Sequence, residues 1–247
     1  MIDQGMNRQQ IRTAILFLSF LMMSVTFVYI SPLVMMMGLL QGVIAAAFIF
    51  WISVFLLTFI FGRAFCGYLC PMGAEQEILD KAVKTKLRRV PYLRYLKYLL
   101  AVIWVGGAIV LTAGAGVLAV NPLFGLGNGL PPWNAGAYLF LYGMTLGVFV
   151  LVLIFGRRGM CNYFCPMSVV FMAITRIRNR IRIPSLHLAA EPDDCIKCKK
   201  CESACPMSLP VQEMAGNNEF QNPECIICGS CADVCPKNVI RFAWSWK

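Results

Sequence analysis

The chain has 247 residues, of which 59% are hydrophobic and only 14% charged. Water-soluble domains carry about a quarter charged residues, so this composition excludes an ordinary soluble globule and points to a bilayer. The formal charge of +10 is unevenly spread: residues 191–247 hold eight of the twelve acids against six bases, and the basic surplus lies beside apolar runs. There it reads as membrane topology rather than as a nucleic-acid footprint, because no soluble segment carries a basic patch.

Arg8 and Arg12 precede the first apolar run, and no small-residue cleavage site follows, so that run is expected to remain as an anchor. Four segments, at about residues 13–30, 39–61, 96–118 and 135–155, are each long enough to span the hydrocarbon as a helix. Ser31-Pro32 and Gly38 supply the expected break between the first two. The connectors at 31–38 and 119–134 carry no Lys or Arg. The connector at 62–95 carries Arg63, Lys81, Lys84, Lys86, Arg88, Arg89 and Arg94, and Arg157, Arg158, Arg176, Arg178, Arg180 and Arg182 follow the fourth segment. This asymmetry places both termini and the middle connector in the cytoplasm. The mixed basic and apolar stretch at 75–97 suits either anionic lipid head groups or an ordinary basic loop feeding the third helix.

An internal repeat follows each second helix. Phe61-Gly62-Arg63 leads to Cys66-x3-Cys70-Pro71-Met72, and Phe155-Gly156-Arg157 leads to Cys161-x3-Cys165-Pro166-Met167. Two crossings separate the copies, so parity puts both at one membrane face, related by a pseudo-twofold axis. The four thiols, with Arg63 and Arg157 favouring the thiolate, could hold a third metal–sulfur centre. A redox dithiol and packed structural cysteines are the other readings.

The tail carries the most specific signal: Cys195-x2-Cys198-x2-Cys201-x3-Cys205-Pro206, repeated as Cys225-x2-Cys228-x2-Cys231-x3-Cys235-Pro236. Each run wraps three thiolates around one cube, and the cysteine before proline reaches across to the other. Cluster one is therefore assigned to Cys195, Cys198, Cys201 and Cys235, and cluster two to Cys225, Cys228, Cys231 and Cys205. Zinc sites use separated pairs, and disulfides are disfavoured in a reducing cytoplasm. Met207, Ile196, Ile226, Ile227 and Val234 are expected to shield the clusters from water.

The single histidine, His187, lies past the last span and reads as a solvated loop residue, so a bis-histidine haem has no ligands. No C-x-x-C-H and no glycine-rich dinucleotide fingerprint occurs. The spans carry no charged residue well inside, which argues against a pump or channel. Glu75, Gln76 and Glu77 follow Cys70, and one of them could hydrogen-bond or deprotonate a quinol; first-turn helix acids are the plainer reading. Asn121, Pro122, Trp133 and Asn134 could border an outer quinone site or dock a partner, with Trp133 an interface anchor. Met22, Met23 and Met35 to Met37 could be soft copper(I) ligands, though packing methionines are the simpler account.

With these residues the chain resembles the NapH family of ferredoxin-type membrane quinol dehydrogenases. It is also similar to the membrane parts of NosR, MauN and CcoG (RdxA) proteins, without the flavin-binding domain of the first or the C-terminal extension of the last. The resemblance implies a membrane electron-transfer subunit of an oxidoreductase complex, linking the quinone pool to an iron–sulfur, haem or flavin partner. A membrane reductase for copper or cofactor assembly and a non-catalytic anchor for a soluble redox partner are the alternatives. The expected fold is mostly α: a short cytoplasmic N-terminus (1–12), four transmembrane helices as two similar hairpins (13–183), and a C-terminal α+β 2[4Fe–4S] ferredoxin domain (184–247).

Overall fold

The computed structural model describes residues 3–83, 87, 90–115, 119–125, 135–217, 220 and 222–245. Lys84, Lys86, Arg88, Arg89, Trp133 and Asn134, singled out above, lie outside the described residues.

Helix α1 (Asp3–Leu21) is followed by α2 (Met23–Ile30) and α3 (Pro32–Leu40). The expected break falls at Ser31-Pro32, between α2 and α3, but the chain does not reverse there. Ser31 is extended (φ −71°, ψ 120°), and Pro32 takes the first helical position, where its missing N–H costs nothing and its fixed φ suits the helix. The chain reverses later, at residues 41–45, through Gly42 at φ +69°. The next long apolar helix, α4 (Ala46–Phe61), therefore begins after that reversal and not near residue 39. Strand β1 (Val43–Ile44) in that turn pairs in parallel with β2 (Ala119–Val120) at the far end of the bundle. Short α5 (Ala64–Tyr68) and α6 (Pro71–Val83) carry the first C-x3-C-P motif. A 3-10 turn (Tyr92–Tyr95) feeds α7 (Leu96–Ala115), and α8 (Ala135–Phe155) returns to α9 (Gly159–Tyr163) and α10 (Pro166–Ile181). Among the described residues, three helical stretches, Met23–Leu40, Tyr92–Gly114 and Tyr138–Phe155, are long and apolar enough to cross a membrane. Helix α4, with 16 residues, reaches about 24 Å, short of a ~30 Å hydrocarbon core.

The two halves have matching local structure. Gly62 (φ +57°) ends α4 and Gly156 (φ +78°) ends α8, left-handed positions that suit glycine. Pro71 and Pro166 then open α6 and α10. Packing is reciprocal: α6 lies against α1 and α8, and α10 against α7 and α4. Each motif helix thus rests on the first helix of its own half and the second helix of the other. Between the halves, Trp51, Val54, Met167 and Phe171 form a buried cluster with Met35 and Leu39. Trp51, Phe55, Phe65 and Phe171 meet edge-on or tilted at 5.4–6.3 Å between ring centroids. In a bilayer such close packing, rather than exclusion of water, holds helices together.

The tail is a compact α+β unit. Strands β3 (Ser185–Ala190) and β4 (Ile240–Ser245) pair antiparallel from Ser185 opposite Ser245 to Ala190 opposite Ile240. Short helices α11 (Lys200–Ala204), α12 (Val211–Gly216) and α13 (Ser230–Asp233) connect them. His187 is not in a solvated loop: it sits in β3, 5% exposed, with Nδ1 2.9 Å from the Ser185 carbonyl. Pro184, directly before Ser185, marks the start of this strand in the sequence.

The tail seats on the end of the bundle that carries both C-x3-C-P motifs. Its acids meet the bundle's bases. Glu224 pairs with Arg94 (2.7 Å) and Lys97 (3.0 Å), and Asp233 pairs with Arg8 and accepts from Gln9 Nε2 (2.6 Å). Arg63 Nη1 donates to the Pro223 carbonyl (3.2 Å).

Candidate metal centres

In the tail, Cys195, Cys198, Cys201 and Cys235 line one small cavity, and Cys205, Cys225, Cys228 and Cys231 line a second. Each set joins three thiols of one run to the fourth of the other. The two loops are backbone copies. Lys197 and Lys199 take φ +53° and +58°, and Ile227 and Gly229, at the same offsets in the second run, take +53° and +73°. Ser208 and Asn238 repeat the match three residues after each Cys before Pro, at +53° and +52°. Alternating right- and left-handed residues turn backbone N–H groups inward, as anion-binding nests do. The Ile227 N–H serves Cys225, and those of Met207 and Leu209 serve Cys205.

Burial pushes the Cys225 thiol up to about 12, with Cys228 and Cys205 adding repulsion; burial and the neighbouring thiols push Cys231 up likewise. Several thiolates cannot coexist in so small a space without cations, and iron binding would displace their protons. Among the described residues no three His, Cys, Asp or Glu side chains converge on a single ion. A cube binds each cysteine to a different iron, so its ligands stand farther apart than those of one zinc ion. The donor set fits two cubes.

At the bundle end, Cys66, Cys70, Cys161 and Cys165 line one cavity of about 280 Å³, together with Arg63 and Arg158. Burial first, then Cys66, Cys161 and Cys165, raise the Cys70 thiol; burial, then Cys161 and Cys66, push Cys165 up to about 12. The two motifs are thus together on one face. The Gly73 N–H serves Cys70 and the Ser168 N–H serves Cys165, each from the first turn of the helix behind its Cys-Pro, where the dipole favours a thiolate.

The arginine partners differ from the sequence reading. Arg158, not Arg157, is the counterpart of Arg63, because the second half has one more residue between Phe-Gly-Arg and its cysteine. Arg158 Nη1 donates to the Cys66 carbonyl (2.9 Å) and Nη2 to Glu77 (2.7 Å). Arg157 instead turns to the tail, donating to the Ser203 carbonyl (2.8 Å) and pairing with Asp80 (2.8 Å). Glu77 also pairs with buried Arg12. Burial would raise the Glu77 carboxyl, but Arg158 and Arg12 outweigh it and hold it low.

Its neighbours on α6 behave otherwise. Glu75 is buried with an unpartnered Oε2, and desolvation alone lifts it to about 7. Gln76 is wholly buried; its Nε2 donates to the Met72 carbonyl (3.0 Å) and to Cys161 Sγ (3.2 Å), and its Oε1 accepts from the Met160 N–H (3.1 Å). Of the expected cluster shields, Met207, Ile226 and Ile227 are buried, but Ile196 is 58% and Val234 40% exposed. Met23 and Met35 are core residues while Met22 and Met37 lie outside it. Asn121 Oδ1 accepts from the Leu123 N–H (3.1 Å).

The two cysteine systems touch. A Cβ on Gly67, inside the first C-x3-C motif, would stand 2.4 Å from the Ile226 carbonyl oxygen, and one on Gly62 2.5 Å from Ile227 Cδ1. Burial raises the Cys66, Cys165 and Cys225 thiols, and Arg63 lies near enough to all three to oppose part of that rise. This close approach was not readable from spacing; the glycine at Cys66-Gly67, where the second motif has Asn162, was its trace.

Fold and site together define an iron–sulfur protein with cysteine sets in both its apolar bundle and its tail. Residues 43–89 and 137–184, which contain the two C-x3-C-P motifs, match the family described as a 4Fe-4S binding domain. Residues 194–240 match a 4Fe-4S dicluster domain. Among curated proteins, the chain is 27% identical to the uncharacterized protein MJ0750 of Methanocaldococcus jannaschii, over 85% of this chain and 84% of that one. It is 23% identical to the putative electron transport protein YccM of Escherichia coli, over 72% of this chain and 50% of the relative. It is 27% identical to the methylamine utilization ferredoxin-type protein MauN of Methylorubrum extorquens, over 71% and 59%. The chain thus spans only about half to three-fifths of the length of the last two. No solved structure matches.

Proposed function

We propose that this chain is a membrane electron-transfer subunit that links the quinone pool to a partner redox protein, of the NapH-like quinol dehydrogenase type. The tail holds cluster one on Cys195, Cys198, Cys201 and Cys235 and cluster two on Cys225, Cys228, Cys231 and Cys205. A third centre sits on Cys66, Cys70, Cys161 and Cys165. Bound clusters supply one-electron carriers; the chain spaces them, excludes water and fixes their order. Four crossings leave both termini and the tail in the cytoplasm.

One observation carries the reading: the backbone of Gly67 meets that of Ile226 with no room for a side chain between them. It joins the membrane-face thiols to the cluster-two loop and leaves the cluster-one loop, with Cys198 exposed, facing outward. With clusters bound, the membrane-face cysteines, the 225–231 loop and the 195–201 loop would stand in that order, with the last open to a partner. The apolar cavity that reaches from the four thiols to Phe27, Leu33, Trp104 and Met144 suits a quinone tail. Ser19 Oγ donates to the Leu69 carbonyl (2.5 Å) at the thiol level. Leu33 lies 14 residues farther along the chain, on the order of 20 Å of helix, which is deeper than a cluster needs. A quinol gives up two protons with its two electrons. Glu77 is held ionised by two arginines, whereas burial gives Glu75 the higher proton affinity; neither acid lines the cavity itself.

Anaerobic purification should yield about twelve irons per chain. Addition of a short-chain quinol should reduce the centres, followed by electron spin resonance. Eight irons would remove the third centre. Clusters that stay oxidised with every quinol tried, while dithionite reduces them, would remove the quinone link.

A further inference from the structure

Aligned on their cysteines, the two halves bear different residues six positions after each Cys-Pro cysteine: Gln76 follows Cys70, and Phe171 follows Cys165. Both side chains are almost wholly buried. Phe171 packs against Trp51, Phe55 and Phe65, whereas Gln76 crosses to the other half and meets Cys161 and Met160. The next position repeats the contrast, with Glu77 tied to Arg158 and Met172 in the apolar core. The scaffold is twofold, but at these two positions only the first half carries a polar side chain.

The orientation of the Gln76 amide follows from its partners. The Met160 N–H can only donate, so Oε1 must face it; the Met72 carbonyl can only accept, so Nε2 must face it. The remaining N–H of Nε2 therefore points to Cys161 Sγ at 3.2 Å, and no flip of the amide satisfies the same set. A donor on a ligating sulfur stabilises the more negative, reduced cluster and raises its potential. We infer that Gln76 is the positioning residue of the membrane-face centre: it fixes Cys161 from the opposite half, raises the centre's reduction potential, and makes its two edges inequivalent. This rests on the reading that the four cysteines hold a cluster.

The test is a redox titration of the purified full-length chain, following the spin-resonance signal that Cys66→Ser abolishes. Gln76→Leu removes the donor and keeps the volume. The expected result is full iron content with the reduction equilibrium of that signal shifted about tenfold toward the oxidised form, ~59 mV for one electron. The two tail signals should not move. Gln76→Glu keeps an acceptor for the Met160 N–H but places no fixed donor on the sulfur, and its shift should have the same sign; it serves if the leucine variant fails to assemble. Unchanged potential in an iron-replete variant overturns the inference and leaves the three-centre reading intact. Eight irons in the wild-type chain overturn both.

Discussion

The two tail loops have the same cysteine spacing and the same backbone, yet one is interior and the other is surface. The loop at 225–231 reads Cys-Ile-Ile-Cys-Gly-Ser-Cys, and its Ile226 and Ile227 are 2% and 5% exposed. The loop at 195–201 reads Cys-Ile-Lys-Cys-Lys-Lys-Cys, with Ile196 and Cys198 open to solvent. The motif specifies how a loop wraps its ligands, while the residues between the cysteines specify what the loop faces. Ile227 can fill the space above Gly62 because nothing but hydrogen stands there; a lysine at that place would bury its charge. Duplication of one motif thus yields an inner loop and an outer one.

The comparison breaks most completely at the contact itself. Gly67→Val would drive a side chain into the Ile226 carbonyl, which is backbone and cannot yield cheaply. We expect quinol-driven reduction of the tail clusters to fall by about 100-fold or more, with dithionite reduction and iron content retained. Stopped-flow absorbance with each reductant checks this. Equal loss with both would mean that the tail had unfolded rather than undocked.

Replacing single ligands sharpens the same contrast. Cys225→Ser and Cys195→Ser should each cost up to four irons. Only the inner change should stop quinol electrons from entering the tail; the outer change should leave cluster two reducible and block transfer onward. Spin resonance after quinol addition distinguishes them. Identical behaviour of the two variants would abolish the distinction between inner and outer. At the level of packing, Ile227→Ala should destabilise by about 2–4 kcal/mol and Ile196→Ala by less than about 0.5 kcal/mol, measured as thermal unfolding of the holoprotein.

Much of this was legible beforehand, and the gaps have physical causes. The spacing groups the tail cysteines three and one, and the same groups line the two tail cavities. Cys66 and Cys161 line one cavity, as the placement of each motif after the second helix of its half leads one to expect. The helix break at Ser31-Pro32 is not a chain reversal because proline both ends helices and begins them, and only the Ser31 backbone shows which occurred. The pairing of Arg158 rather than Arg157 with the thiols depends on one inserted residue, which rotates a short helix and exchanges two adjacent side chains. Gln76 on Cys161 joins residues 85 apart, in different halves, and no local pattern encodes such a contact. The inner character of the 225 loop was written in Ile-Ile and Gly-Ser, but it has meaning only beside Gly62 and Gly67.

A further contrast of the same kind separates the two acids of α6 that flank Gln76. Glu77 is paired and held low. Removing it by Glu77→Ala would leave Arg12 and Arg158 buried without a counter-charge, at a cost of about 3–5 kcal/mol. Glu75 is unpaired, and burial lifts its carboxyl from 4.5 to about 7. Its sign is opposite to that of a paired acid. Between those two values the folded chain holds a proton that the unfolded chain has released, so stability is highest below about pH 4.5 on account of this group. It falls as pH rises and levels off above about pH 7. Glu75→Gln should flatten that slope and raise stability at pH 8 by about 1–2 kcal/mol, read as the difference in unfolding midpoint between pH 5 and pH 8. A midpoint difference that the substitution leaves untouched would show that Glu75 is hydrated or paired in the folded chain, and with that its advantage over Glu77 as a proton acceptor would be gone.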